Sequence, residues 1–207
     1  MFFSLNVFSQ ALEEKIENFL LENPEVILKS LQNFEEKKAK EQEVTNQKII
    51  NENLESLTDS SNGLFDGNIN SKKIVVKFFD FNCSYCKKAH DDIQKLLKKE
   101  DVKVIYKNFP ILSENSVFLA KLGIFIAEKD IDSFNSFYKM INENKGRVSK
   151  AKLLEITQKL GVNLDELNNE KVNVRLEKKL KTDIDLANKL GLRGTPAFVV
   201  GNQIIFG

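Results

Sequence analysis

Cys83 and Cys86 are the only cysteines in 207 residues, and they sit three positions apart in Cys83-Ser84-Tyr85-Cys86. A disulfide that staples a fold draws its cysteines from distant parts of the chain. A bridge over two residues closes too small a loop to stabilise much. The pair therefore points to redox chemistry at sulfur. The reactive species would be a thiolate, which attacks a disulfide sulfur and forms a mixed disulfide. Cys83 follows an apolar run and opens a segment of helical periodicity. A helix N-terminus carries unpaired N–H groups and partial positive charge. Both favour thiolate, so the Cys83 thiol should titrate below the ordinary value of about 8.5. Cys86, one turn later, feels this field less and is the natural resolving thiol. The exchange runs on the two sulfurs alone, so no cofactor is expected.

The neighbours of the pair carry open alternatives. Ser84 and Tyr85 are placed to tune the redox potential. Lys87 and Lys88 either add to thiolate stabilisation or only solvate the helix. A metal reading would recruit His90, four positions after Cys86 on the same helix face. Structural zinc takes four ligands and no second pair exists, so no metal is expected and His90 reads as a half-exposed helix residue.

The elements that must hold the pair follow from periodicity. Lys73 to Phe81 is a β-prone apolar run, Cys83 to Lys99 a helix through Ala89, Ile93, Leu96 and Leu97, and Val102 to Tyr106 a strand. This is a βαβ unit with a parallel pair. Leu64 to Asn68 suggests a short first strand. Helical character dominates from 115 to 182, with Gly161 as a C-terminal cap. A further short helix is expected over Asp183 to Leu190, ended by Gly191. Ala197 to Val200 and Gln203 to Phe206 flank Gly201-Asn202, a hairpin signal.

Upstream, residues 11 to 57 read as helix, with Leu12, Ile16, Phe19 and Leu20 on one face and Ile27, Leu28, Leu31 and Phe34 continuing it. Pro24 breaks the run and starts a new helix, with Asn23 as a candidate cap. Glu35 to Lys48 is nearly all polar, so it is a solvated connector or it needs another chain. The turn cluster Asp59-Ser60-Ser61-Asn62-Gly63 marks the boundary between a helical arm, 1–58, and a catalytic domain, 63–207. The arm carries too much apolar surface for a lone tail, which favours a homo-oligomer over a free helical tail.

Bulk composition narrows the class. Apolar residues make 42% and charged residues 29% of the chain, as in ordinary globular proteins. With 16 Phe and no Trp, the core is built on Phe, Leu and Ile. A net charge of +1 asks for neither nucleic acid nor an anionic membrane. No run of about 18 apolar residues exists, so no membrane span is expected. Met1 to Ala11 reads either as the tail of a signal peptide or as a plain N-terminus feeding the first helix.

The segment Phe78-Phe79-Asp80-Phe81-Asn82-Cys83-Ser84-Tyr85-Cys86 resembles the active-site segment of the DsbA family of thiol-disulfide oxidoreductases. It is most similar to the ScsC-like periplasmic branch, whose members carry an N-terminal oligomerisation arm. Gly194-Thr195-Pro196-Ala197-Phe198 resembles the family's cis-proline segment, Asn108-Phe109-Pro110-Ile111-Leu112 another recurrent piece, and Asn23-Pro24-Glu25-Val26-Ile27-Leu28 the arm. The resemblance covers most of the chain. It implies an α/β thioredoxin fold with a helical insertion at about 115–182, preceded by the arm. It implies Cys83 as nucleophile, Cys86 as resolving thiol, and Thr195 and Pro196 as the loop that holds the substrate backbone. An X–Pro bond adopts cis at modest cost, so Pro196 suits that role, against the plain alternative of a turn proline.

The resemblance further implies cysteine-containing protein clients, a redox partner that reduces or reoxidises the pair, and the periplasm of a Gram-negative bacterium. Many relatives carry an acidic residue where this chain has Lys77. Lys77 either points under the cysteines and stabilises a thiolate, or snorkels to solvent from a strand end. The arm, with Thr195 before Pro196, favours an oligomeric disulfide isomerase or reductase. A dithiol oxidase and a client-holding chaperone remain the alternatives.

Overall fold

The structure, a computed structural model, describes the backbone of residues 3–207 and the side chains from residue 12 onward. The leader reading of residues 1–11 lies outside the described side chains. The chain divides into two compact units, residues 1–45 and 46–207.

The first unit is helical. Helix α1 spans Phe3–Glu22, and α2 spans Pro24–Glu52. Proline is tolerated at the start of α2 because a first-turn N–H has no intrahelical partner to lose. The Asn23 side chain serves the end of α1, where its Nδ2 donates to the Phe19 carbonyl at 2.8 Å. Leu12, Ile16, Phe19, Leu28, Leu31 and Phe34 each leave more than half of their surface exposed.

The division falls earlier than the turn cluster at 59–63. Ile50 of α2 and Leu57 of α3 (Leu54–Thr58) are each 1% exposed and cluster with Val76, Phe78 and Ile105. Their apolar stripe is buried on the sheet, and residues 46–58 fall in the second unit.

That unit is built on a five-stranded sheet in the order β1-β3-β2-β4-β5. The strands are β1 (Phe65–Gly67), β2 (Ile74–Phe79), β3 (Lys103–Asn108), β4 (Ala197–Val200) and β5 (Gln203–Phe206). β2 and β3 run parallel, with Lys77 opposite Tyr106, and α4 (Ser84–Lys99) makes the crossover between them. β4 lies antiparallel on the other side of β2, with Ala197 opposite Phe78. Successive strand residues face opposite sides of a sheet. Val75 and Phe79 therefore join the core that contains Cys86, Ile93 and the first insertion helices, while Val76 and Phe78 join the core on the opposite face.

The insertion comprises α5 (Glu114–Lys129), α6 (Ile131–Glu143), α7 (Lys150–Lys159), a 3-10 turn (Leu164–Asn168) and α8 (Glu170–Lys189). Ser113, Asp130, Ser149 and Asn169 cap α5, α6, α7 and α8, each accepting from a backbone N–H of the first turn. The separate helix expected from Asp183 does not form, because α8 runs unbroken to Lys189. Asp183 is buried and spends its carboxylate on β3, accepting from the Asn108 N–H at 2.8 Å and from its Nδ2 at 3.2 Å. Lys107 lies 3.9 Å away and supplies the opposing charge.

Gly67 and Gly161 both have positive φ, +87° and +64°. A Cβ on Gly67 would collide with the Val102 carbonyl and the Leu97 side chain, whereas one on Gly161 meets nothing within 4 Å. Gly67→Ala is expected to destabilise by about 3 kcal/mol and Gly161→Ala by about 1 kcal/mol, read from urea unfolding midpoints. Equal losses at the two positions would remove the steric argument.

Candidate active site

The path from β2 into α4 is set by Asp80. Its backbone carbonyl accepts from the Cys83 N–H at 3.0 Å, which closes a turn. Its carboxylate accepts from the Asn82 N–H at 2.8 Å and from the Leu112 N–H at 3.0 Å. One buried side chain thus shapes the turn and fastens the Asn108–Leu112 segment beside it. Asn82 donates to the Ser116 hydroxyl of α5 at 3.1 Å. Asp80, Asn82 and Ser116 were not singled out from the sequence. An Asp and an Asn just before a helix start are the turn-forming signal that marks the first two.

Cys83 occupies the N-cap position of α4, and its sulfur accepts from the Cys86 N–H at 3.3 Å. A cap normally uses Ser, Thr, Asp or Asn oxygen for this duty. The sulfur also lies 3.1 Å from the Thr195 carbonyl, 112 residues further along the chain. The Thr195–Pro196 peptide is cis, and Pro196 is buried. The four residues expected at the centre of the site are therefore brought together.

The two thiols differ sharply. Cys83 is 6% exposed and Cys86 is 0% exposed, so both are buried and Cys86 the more completely. The Cys83 thiol is pushed down to about 5. Hydrogen bonding from the Cys86 side chain does most, against the cost of burial, with help from the Thr195 side chain and the backbone N–H groups of Cys86 and Tyr85. Cys86 moves the opposite way: burial, and then its hydrogen bond to Cys83, push its thiol far up. Both sulfurs are free.

Lys77 lies beneath this pair and does not snorkel. It is 0% exposed, and its ammonium donates to the Cys86 carbonyl at 3.2 Å. Strand parity puts it on the face shared with Val75 and Phe79, the face covered by α4. Burial lowers its titration to about 8, while attraction to the Cys86 and Cys83 sulfurs opposes that fall. Below it, the Tyr138 ring centre is 5.6 Å from the ammonium and 4.3 Å from the Tyr106 ring.

His90 completes this floor at 5.6 Å from Tyr138 and is 3% exposed, not half-exposed as its helix position suggested. Burial, and then the charge of Lys77, hold it toward the neutral form. Among the described residues, no group of three or more His, Cys, Asp or Glu is placed to hold a metal. Ser84 and Tyr85 face outward, with Tyr85 62% exposed and its ring 5.3 Å from the Lys88 ammonium. Lys87 turns away from the sulfurs. It donates to the carbonyls of Asn144 at 2.9 Å and Gly146 at 2.6 Å, binding α4 to the loop before α7.

Residues 74–207 match the family model of the DSBA-like thioredoxin domain. The chain belongs to this family. Its fold is the thioredoxin-like DsbA fold, with an N-terminal helical region. The thiol-disulfide exchange protein alpha-DsbA2 of Wolbachia pipientis is 26% identical, with a TM-score of 0.72 over 80% of this chain and 89% of that one. Proteus mirabilis ScsC in a transitional conformation is 24% identical, with a TM-score of 0.70 over 98% of this chain and 91% of that one. The latter is a likeness of fold that extends over the arm. A probable disulfide bond formation protein D of Bacillus cereus is 28% identical over 142 residues, 63% of this chain and 66% of that protein. The chain thus spans just under two thirds of the length of that relative.

Alkylation of Cys83 by iodoacetamide is expected to titrate near pH 5 and to be flat above pH 7. Lys77→Met removes a buried positive charge and is expected to raise that midpoint by roughly one unit. Between about 5 and the ordinary thiol value the unfolded chain binds the proton that the folded thiolate has lost. The reduced protein should therefore gain stability over Cys83→Ser as pH rises through this window, and lose that gain as pH falls through 5. An alkylation midpoint near 8.5 would contradict the capping geometry.

Proposed function

We propose that this DsbA-family protein catalyses thiol-disulfide exchange on cysteine-containing client proteins, with Cys83 as nucleophile and Cys86 as resolving thiol. One observation carries the reading: the Cys83 sulfur caps α4 and accepts from the Cys86 N–H, a geometry that favours its thiolate, while Cys86 is fully buried. The Cys83 thiolate attacks one sulfur of a client disulfide, the S–S bond breaks, and the other client sulfur leaves as thiolate. Cys86 then gives up its proton to the departed client thiolate and attacks the Cys83 sulfur. The client's remaining sulfur leaves with the electron pair, and the Cys83–Cys86 bond forms. Run in reverse, the same steps oxidise a client dithiol. Thr195, at the cis peptide to Pro196, offers its backbone groups to an extended client segment in the manner of strand addition.

The protein acts as an oligomeric disulfide isomerase or reductase. The exposed apolar stripe of Leu12, Ile16, Phe19, Leu28, Leu31 and Phe34 supports association of arms, which would hold several catalytic units around one client. A second reading, the dithiol oxidase, is favoured by the low Cys83 titration. A stabilised thiolate makes the reduced form the preferred one and the disulfide a strong oxidant. Exchange chemistry of this kind suits an oxidising compartment, here the periplasm of a Gram-negative bacterium, with a separate redox partner that resets the pair. No helix among the described residues is long and apolar enough to cross a membrane.

Cys83→Ser is expected to reduce both scrambled-ribonuclease reactivation and reduced-ribonuclease oxidation to background, while Cys86→Ser accumulates client mixed disulfides. A full chain carrying Ile16→Glu, Leu28→Glu and Phe34→Glu is expected to become monomeric and to lose reactivation while it keeps oxidation. If the monomer reactivates as well as the parent, the arm does not set the activity. If the parent only oxidises, the oxidase reading stands.

A further inference from the structure

Two lysines of the sheet are fully enclosed, and they differ in what opposes their charge. Lys107 has the Asp183 carboxylate at 3.9 Å. Lys77 makes no ion pair with a carboxylate among the described residues, and its ammonium donates to the Cys86 carbonyl. The elements packed around Lys77 bring no fixed negative charge. α4 presents Cys86 and His90, the latter held toward neutral by burial. β3 sets Tyr106 opposite Lys77, β4 sets Phe198 opposite it, and α6 brings the Tyr138 ring. Burial pushes both phenols well up, so they stay protonated. Asp66 of β1 is held by Gln94 at 3.3 Å, and its charge reaches His90 and the two tyrosines. The charges that act on Lys77 are those of Cys86 and Cys83. The Tyr106 and Tyr138 hydroxyls and His90 Nδ1 have no hydrogen-bond partner among the described residues, so no bond here commits the floor to one charge state of Lys77.

The Cys83 thiolate is therefore the counter-charge of Lys77, and oxidation of the pair removes it. A buried ammonium left without an anion sheds its proton more readily than it stays charged. We propose that Lys77 is a redox-linked proton site, an ammonium while the cysteines are a dithiol and an amine once they are a disulfide. The proposal rests on the exchange reading, because exchange is what removes the thiolate. The reaction with a client disulfide then closes without drawing protons from solvent. The dithiol gives up two electrons, the Cys83–Cys86 bond forms and the client S–S bond breaks. Cys86 supplies the proton for one client thiolate, and the proton that Lys77 sheds matches the one that the second takes up. Both client sulfurs end as thiols. With a lysine that kept its charge, the same exchange would consume one proton from solvent.

The test measures the equilibrium of the full chain with reduced and oxidised glutathione over the unit between about pH 6.5 and 7.5, where glutathione keeps its thiol proton. Reduction of the disulfide by two glutathiones releases one proton if the charge of Lys77 is fixed, and the constant then rises about 10-fold over that unit. If Lys77 takes the proton up, the constant is expected to change by less than about 3-fold. Lys77→Arg keeps a charge that does not titrate, and Lys77→Met has none, so each is expected to restore the rise of about 10-fold. A parent that shows the full rise, or variants as flat as the parent, overturns the proposal. The ¹³Cε resonance of Lys77 is compared in the reduced protein and in protein oxidised by diamide. It is expected to shift toward the amine position on oxidation, and an unmoved resonance also overturns the proposal. Failure to equilibrate with glutathione while that resonance still moves would sink the exchange reading and leave the proton site standing.

Discussion

The Cys83 sulfur fills the place where a helix cap belongs, and the geometry of the site follows from that duty. A capping atom must accept from an N–H of the first turn, and a thiolate accepts better than a thiol. Folding the helix therefore favours ionisation, and ionisation favours the helix. The sulfur can do this only if the chain leaves β2 at a fixed angle, which Asp80 enforces through three hydrogen bonds. It meets Thr195 only because β4 pairs with β2 in a register that sets Ala197 opposite Phe78. A shift of one residue in that pairing would turn every β4 side chain to the other face and carry the Thr195–Pro196 loop away from Cys83.

The region under the motif is arranged at a cost to stability. An ammonium group buried among Tyr138, Tyr106 and His90 has lost water and recovers only part of that loss from one carbonyl and an aromatic face. The drop in the Lys77 titration to about 8 expresses this penalty. An apolar residue of similar size would satisfy the packing with less strain on hydration. What Lys77 adds is positive charge beneath two sulfurs, one of which must be held as an anion. His90, kept neutral by burial and by Lys77, adds no second charge that would compete. Buried polar groups with such a one-sided benefit are more readily understood as part of the chemistry than as part of the core.

The helical insertion does more than thicken the domain. α5 is buried on most sides and holds α6 and α8 in place, while its first turn reaches the motif through Ser116. The loop before α7 is held from the other end by Lys87. The insertion is therefore tied to the cysteine motif from both of its ends. The arm has the opposite character. Its charged middle has no apolar stripe to bury, and its apolar residues nearer the N-terminus are left exposed.

The chemistry was legible in the order of residues, because it depends on local spacing. Two cysteines three apart, at the junction of a β-prone run and a helix-periodic run, define a nucleophile at a helix start and a resolving partner one turn later. The crossover, the insertion and the final hairpin were legible for the same reason, since period, caps and turn residues act over a few positions. Tertiary structure decided whatever depends on partners far along the chain. Lys77 is consistent in sequence with either an exposed or a buried end, and only the covering of its face by α4 excludes solvent. His90 is buried because α6 brings Tyr138 against it. Asp183 looks like a helix start, yet β3 claims its carboxylate and the helix runs through. The stripe ending at Leu57 reads as part of the arm until the sheet supplies a surface to bury it. In each case a local preference worth a fraction of a kcal/mol was overruled by burial or pairing worth several times more.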